Sequence, residues 1–468
     1  MVRQTHKQHN DTPMTTDHSQ PGPFKSAGED LYRRACEVIT GGVSRNTVFR
    51  RPHPFYAASA KGCYVTDIDG VQRLDFANNM ASLIHGHAHP AIVEAVTEQL
   101  HRGTAYTMAT EAEFSFASLL CERVPGFEKV RFVNSGTEAV MTMIKAARAY
   151  TGRPKIAKSE GAYHGTYDYA EVSQTSRPDQ WGDIHQPRSV ALAHGTPQGV
   201  LDDVVVFPFN DVEKTLAILD QHADQLSCVI IDPVPHRVGL VPASDAFIEA
   251  LYRWTRENGS LLVFDEVVTL RVAYGGAQAR YPYRPDMTAL GKIIGGGFPV
   301  GALAGRTEVM KVLDPRESKV LFPHSGTFSA NPITTTAGRV AMELFDLEAV
   351  ERLNALTRKA MDQIEEAIRL ADVPISLTGA GSMFRVHLRA TPPQTYREAF
   401  QPKEVVALIN EILDYLYLNE QIMMINTCAC MFSTPMTQKE VDILTQAMLN
   451  AFRHIKPKLD KVQDQIPA

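Results

Sequence analysis

No stretch of the 468-residue chain approaches the roughly 18 consecutive apolar residues of a membrane span. Nor is there a basic stripe or a long block of like charge. The 47 Lys and Arg and 53 Asp and Glu are interspersed and leave a net charge of -6, so neither nucleic acid nor an anionic membrane is an indicated partner. Small-molecule chemistry is the better default. Cysteine is sparse: Cys36, Cys63, Cys121, Cys228, Cys428 and Cys430 are scattered, and the one close pair lacks the CxxC spacing of a zinc or redox site. Reduced thiols in a cytoplasmic protein are the expectation. The opening MVRQTHKQHNDTPMTTDHSQPGPF has no apolar core and no cleavage site, which speaks against a signal peptide; residues 1–23 read as a disordered or loosely packed tail. No internal repeat is apparent.

What is present is an ordinary globular composition, 44% hydrophobic and 21% charged, in a chain long enough for more than one domain. DLYRRACEVI (30–39) has helical spacing and stops at Gly41-Gly42, and GCYVTDIDGVQRLDF (62–76) alternates about Asp69-Gly70 as a hairpin does. From about Pro90 short apolar runs read as strands: KVRFV (129–133), KIAKS (155–159), VVVFPF (204–209), CVIID (228–232), LLVFD (261–265) and VGALAG (300–305). Amphipathic segments such as 138–150 and 245–259 lie between them. This alternation predicts an α/β fold, a mainly parallel sheet with helices on both faces, whose ligands gather at the carboxyl ends of the strands. The loop 166–202 is long for a compact domain and suggests a lid or an interface. Beyond about Pro332, long helices, a strand-like GSMFRVHLR (381–389) and helices at 403–418 and about 438–454 predict a smaller α/β domain. The expected division is a tail at 1–23, an N-terminal helix and hairpin segment at 24–80 packing with the small domain, a large domain at 81–331 and the small domain at 332–468.

Five motifs could carry chemistry. In VNSGTEA (133–139) a strand runs into a turn that opens a helix; the N–H groups there, with the Ser135 and Thr137 hydroxyls, suit a phosphate dianion, while Ser135 and Glu138 could equally form a capping box with no ligand. LLVFDEVV (261–268) ends in Asp265 and Glu266, where a carboxylate could face a pyridine nitrogen or merely cap and pair. In LGKIIGGGFPVG (290–301) the single charge is Lys292. Most lysines are solvated, but these uncharged flanks predict an amine of lowered pKa that can add to an aldehyde. In GAYHGTYD (161–168), Tyr163 could stack on a planar ring or serve ordinary packing, and His164 follows it. HSGTFSANP (324–332) alone is a turn with capping residues.

In this order, NSGTEA, DEV, GKxIGGGxPxGA and SGTFxxNP resemble the class-III aminotransferases, pyridoxal-phosphate enzymes, over about 30–452. Within that family the chain is most similar to glutamate-1-semialdehyde aminomutases and β-amino-acid transaminases. The resemblance implies a fold-type-I transferase, a homodimer, and pyridoxal 5′-phosphate as cofactor. It implies that Lys292 forms the internal aldimine and shuttles the proton, that Asp265 pairs with the ring nitrogen, and that Val267 and Tyr163 cover the ring's two faces beside His164. Ser135, Gly136 and Thr137 would hold the phosphate, with Thr327 from the neighbouring subunit. Arg45, in GGVSRNTVF (41–49), falls where related β-amino-acid transaminases grip a substrate carboxylate; otherwise it is a surface arginine. The implied reaction transfers an amino group from an amino-acid or amine donor to a keto acid, ketone or aldehyde. The alternative is an isomerase, either an aminomutase or a racemase. Two departures stand out: Asp232 replaces the usual glutamate, and INTCACMF (425–432) carries neither the arginine of many transaminases nor the glutamate expected of the aminomutases, which favours an uncharged substrate side chain.

Overall fold

Seven short segments pair into the central sheet of the computed structural model, which describes residues 26–462; the expected tail at 1–23 lies outside the described residues. They are β1 (Lys129–Val133), β2 (Lys155–Ser159), β3 (Val204–Phe207), β4 (Leu226–Ile231), β5 (Leu261–Asp265), β6 (Met287–Gly291) and β7 (Gly301–Gly305), in the order β3-β2-β4-β5-β6-β7-β1. Strand β7 runs antiparallel to both β6 and β1, and the other pairings are parallel. Strands β3 to β7 are buried along their whole length, the signature of a sheet covered on both faces.

Alternate residues feed two separate core layers. Val204, Val206, Cys228 and Ile230 pack with Val140, Met143 and Ile144 of helix α1 (Gly136–Thr151). Val205, Phe207, Val229 and Ile231 pack with Phe247, Ile248 and Leu251 of helix α2 (Asp245–Asn258) on the other face. Helix α2 is capped by Ser244 and ends on left-handed Gly259, as its sequence predicts. Strand β6 was not among the expected strands. Met-Thr-Ala-Leu-Gly shows no alternation and has one β-branched residue, so only its pairing on both sides, Val263 with Met287 and Met287 with Gly305, makes it a strand.

The C-terminal part holds α3 (Pro332–Leu344), α4 (Leu347–Ala371), α5 (Lys403–Leu418) and α6 (Gln438–Val462) around an antiparallel sheet of β8 (Ser376–Ala380), β9 (Met383–His387) and β10 (Ala429–Met431). Ile364, Ile412, Leu444, Phe384 and Phe432 share one hydrophobic cluster there. Helix α6 continues past the expected 454 and accommodates Pro457. The loop 166–202 contains helices Asp168–Glu171 and Gln198–Asp202 and a hairpin of Gly182–Asp183 with Gln186–Pro187, and Trp181 meets Tyr396 and Phe400 edge-on.

By compactness the described residues up to Ala58, with Asp67–Val71, form one unit; Ser59–Thr66 and the residues from Gln72 onward form a second. The first unit contains the helix Ala27–Cys36, earlier than the expected 30–39 because Ser26 caps it and Ala27 N donates to Asp69 Oδ1 at 2.7 Å. In the second, Tyr64 lies opposite Leu74, and Leu74 pairs in parallel with Ile422. Among the described residues no helix is long and apolar enough to cross a membrane.

Candidate active site

The carboxyl ends of β1, β4, β5 and β6 and the start of β7 lie along one edge of the sheet. After β1, Ser135 is extended, and its Oγ accepts from Glu138 N at 3.1 Å, capping α1. The reciprocal half of the expected capping box falls one residue early: the Glu138 carboxylate accepts from Asn134 N at 2.7 Å. Capping therefore uses one first-turn donor and leaves the neighbouring N–H groups at a helix N-terminus that favours an anion. The turn is packed so closely that side chains would not fit. A Cβ on Gly136 would lie 2.8 Å from Val267 Cγ1, and one on Gly165, at φ +92°, 2.6 Å from Thr137 Oγ1.

At the end of β5, Asp265 is only 5% exposed. One carboxylate oxygen accepts from Val267 N at 3.0 Å and the other lies 2.8 Å from His164 Nδ1. Burial lowers the His164 pKa against the pull of Asp265. The neutral ring donates its Nδ1 proton to Asp265, and Nε2 is buried with no partner. Glu266 has a different fate. It accepts from Ala277 N, Gln278 N and Gln278 Nε2 at 2.6 to 2.9 Å, and burial pushes its pKa to about 7. It is a structural clamp, so one of the two acids faces the site.

Lys292 follows β6 directly, at φ +50°, a left-handed backbone that a lysine seldom adopts. Its neighbour Gly291 is packed on Val267 and Gly136: a Cβ there would lie 3.2 Å from Val267 Cγ1 and 3.4 Å from Gly136 Cα. Burial of the amine lowers its pKa, offset in part by Asp265 and Asp232. The polar companions absent from the flanking sequence thus come from the ends of β4 and β5. Asp232 is itself buried, accepts from Val234 N at 2.9 Å, and has its pKa raised well above the usual range by burial and by Asp265.

The remaining expected residues divide. Tyr163 is 42% exposed, with the Arg237 guanidinium 5.2 Å above its ring. Thr327 is exposed, in a loop whose Gly326 lies beside Asn134. Arg45 is exposed and precedes the short turn Asn46–Val48 in the first compact unit. Sequence reasoning missed Lys158, which is fully buried in β2 and donates to Ala162 O at 2.9 Å and Val172 O at 2.6 Å, pinning the segment that carries Tyr163 and His164. Its pKa falls to about 7 through burial. A second lysine inside the strand Lys-Ile-Ala-Lys-Ser, between Ala157 and Ser159, was the available signal. Arg237 and Arg385 gave none.

These groups fit a pyridoxal phosphate: a helix N-terminus for its phosphate, a buried carboxylate for its ring nitrogen and an amine of lowered pKa for its aldehyde. The comparisons agree. The model of the family "aminotransferase class-III" matches residues 48–432. A glutamate-1-semialdehyde 2,1-aminomutase of Methanothermobacter thermautotrophicus is 39% identical over 372 residues, 79% of this chain and 86% of that protein. Among solved structures, an omega-transaminase from Sphaerobacter thermophilus matches at 47% identity and TM-score 0.90, over 93% of this chain and 98% of its own. A beta-phenylalanine aminotransferase from Variovorax paradoxus matches at 30% identity and TM-score 0.80, over 92% and 94%.

Proposed function

The chain belongs to the class-III aminotransferases, pyridoxal-phosphate enzymes of fold type I, and within that family we propose a transaminase moving an amino group from an amino-acid or amine donor to a keto acid, ketone or aldehyde. Bound pyridoxal phosphate supplies an aldehyde for an amine and a ring that accepts the electron pair left on the substrate carbon. The chain's residues do the rest. The first-turn N–H groups of α1 with Ser135, Gly136 and Thr137 would bind the phosphate, and Thr327 of the second subunit of a homodimer would complete that site. Asp265, oriented by the Val267 N–H and by His164, would hold a proton on the ring nitrogen. Val267 and Tyr163 would bound the ring's faces. The Lys292 amine, with its pKa lowered, would take the proton from the substrate carbon and return it at the other end of the transfer. Arg45 would meet a substrate carboxylate. Apolar side chains left exposed, Met108, Phe114 and Phe328, support the homodimer.

The observation that carries transamination over isomerisation is the segment 425–432. Cys428, Ala429, Cys430, Met431 and Phe432 are buried, and none supplies the carboxylate expected of an aminomutase. The aminomutase remains the second reading, on the name of the 39% identical relative. Two-substrate steady-state kinetics separate them. A transaminase gives parallel double-reciprocal lines for donor and acceptor; sustained turnover of one substrate alone contradicts the proposal.

A further inference from the structure

Strand β10 runs through the segment that lacks an arginine, and strand β9 beside it supplies one. Arg385 lies directly opposite Ala429 in the antiparallel pair, so its side chain leaves the sheet on the same face as the Ala429 methyl. Arg385 is 5% exposed. Its Nη1 donates to His236 O at 3.0 Å, while its Nε is buried with no partner. Residue 237, next in the chain, is the second arginine, with its guanidinium over the Tyr163 ring. His236 Nε2 lies 2.9 Å from Thr427 Oγ1, which ties this corner to the same segment. Among the described residues neither arginine pairs with a carboxylate.

Buried cations are costly without an anion or a full set of acceptors. The structural alternative is visible elsewhere in the molecule: Arg123 spends Nε and Nη1 on the three carbonyls of Tyr274, Met342 and Phe345, leaving Nη2 buried without a partner. Arg385 has one carbonyl. Burial lowers its pKa only to about 10, so it stays charged at neutral pH. Through Arg237 the pair reaches Tyr163, whose neighbour His164 bonds Asp265; besides burial, Arg385, Arg237 and Lys292 all act electrostatically on His236, so both arginines lie within electrostatic reach of the site that contains Lys292.

We propose that Arg385, with Arg237, forms a carboxylate-recognition subsite of this active site, supplying from β9 the cation that the β10 segment lacks. The inference rests on the active-site reading above. It reverses the expectation of an uncharged substrate side chain: the end of the substrate that faces this segment carries a carboxylate besides its reacting amine or carbonyl. A cofactor phosphate is the other anion within the site's chemistry, and the test separates the two.

The holoenzyme is titrated with 3-phenylpropanoate, the unreactive analogue of an aromatic β-amino acid, and with its neutral amide, by calorimetry; cofactor retention is followed by absorbance. The wild type binds the acid more tightly than the amide. Arg385→Met weakens acid binding on the order of tenfold or more and leaves amide binding and cofactor retention unchanged, Arg385→Lys falls between, and Arg237→Met weakens the acid severalfold. If Arg385→Met does not fold, Arg385→Lys and Arg237→Met decide. The proposal is overturned if the wild type shows no preference for the acid, if the variants keep it, or if they lose cofactor instead. Because the ligand is inert, a failure of the two-substrate kinetics with this preference intact removes the transaminase reading alone.

Discussion

Among the described residues two lysines sit where burial opposes their charge, and they differ in what surrounds them. Lys292, in a left-handed backbone after β6, has carboxylates within electrostatic reach, so its lowered pKa reflects a contest between burial and Asp265 with Asp232. A strained backbone at a reactive group is the usual price of fixing its direction. Lys158 has two carbonyls and a pKa near 7. Its folded value lies below the ~10.5 of an unfolded lysine, so between these limits the unfolded chain holds a proton that the folded chain does not. Stability therefore rises with pH across that window, and below about pH 7 this group adds no further change. Guanidinium denaturation of the wild type and Lys158→Met at pH 7 and pH 10 should show the wild type gaining on the variant by a few kcal/mol. Parallel behaviour at the two pH values would rule out a displaced Lys158.

At the scale of elements, the α1 N-terminus is shaped by what packs on it. Gly165, at φ +92° against Thr137, leaves no space for a methyl group. Gly165→Ala should lower the affinity for pyridoxal phosphate at least tenfold and stability by about 1–3 kcal/mol, measured by equilibrium dialysis and thermal melting. Unchanged cofactor affinity would mean that this turn does not bear on the phosphate. The strands β1 and β5 and the helix α1 were legible because apolar runs, caps and small-residue turns are local signals. Strand β6 was not, because a run with a single β-branched residue became a strand only between two neighbours. The carboxylates that tune Lys292 were legible as residues but not as its companions, since Asp232 and Asp265 reach it across strands. The arginine absent from 425–432 was read as a missing charge, and β9 brings Arg385 to the same register, a relation that linear order conceals.

At the scale of the whole molecule, one antiparallel strand organises the site. Because β7 reverses between β6 and β1, the ends of β1, β5 and β6 and the glycine that starts β7 share an edge, and α1, Val267 and Gly291 meet there. Residues as far apart in the chain as Ser135 and Lys292 are thereby brought to one edge of the sheet. The most direct measurement of that account mixes the holoenzyme with an amino donor alone and follows the visible absorption of the bound cofactor together with the carbonyl product, with Lys292→Ala as control. A transaminase should lose the band with one equivalent of product per site and recover it on addition of a carbonyl acceptor, and a folded Lys292→Ala should show no turnover. Continuous conversion of the single substrate to an isomer without released carbonyl product, or an active Lys292→Ala enzyme, would contradict it.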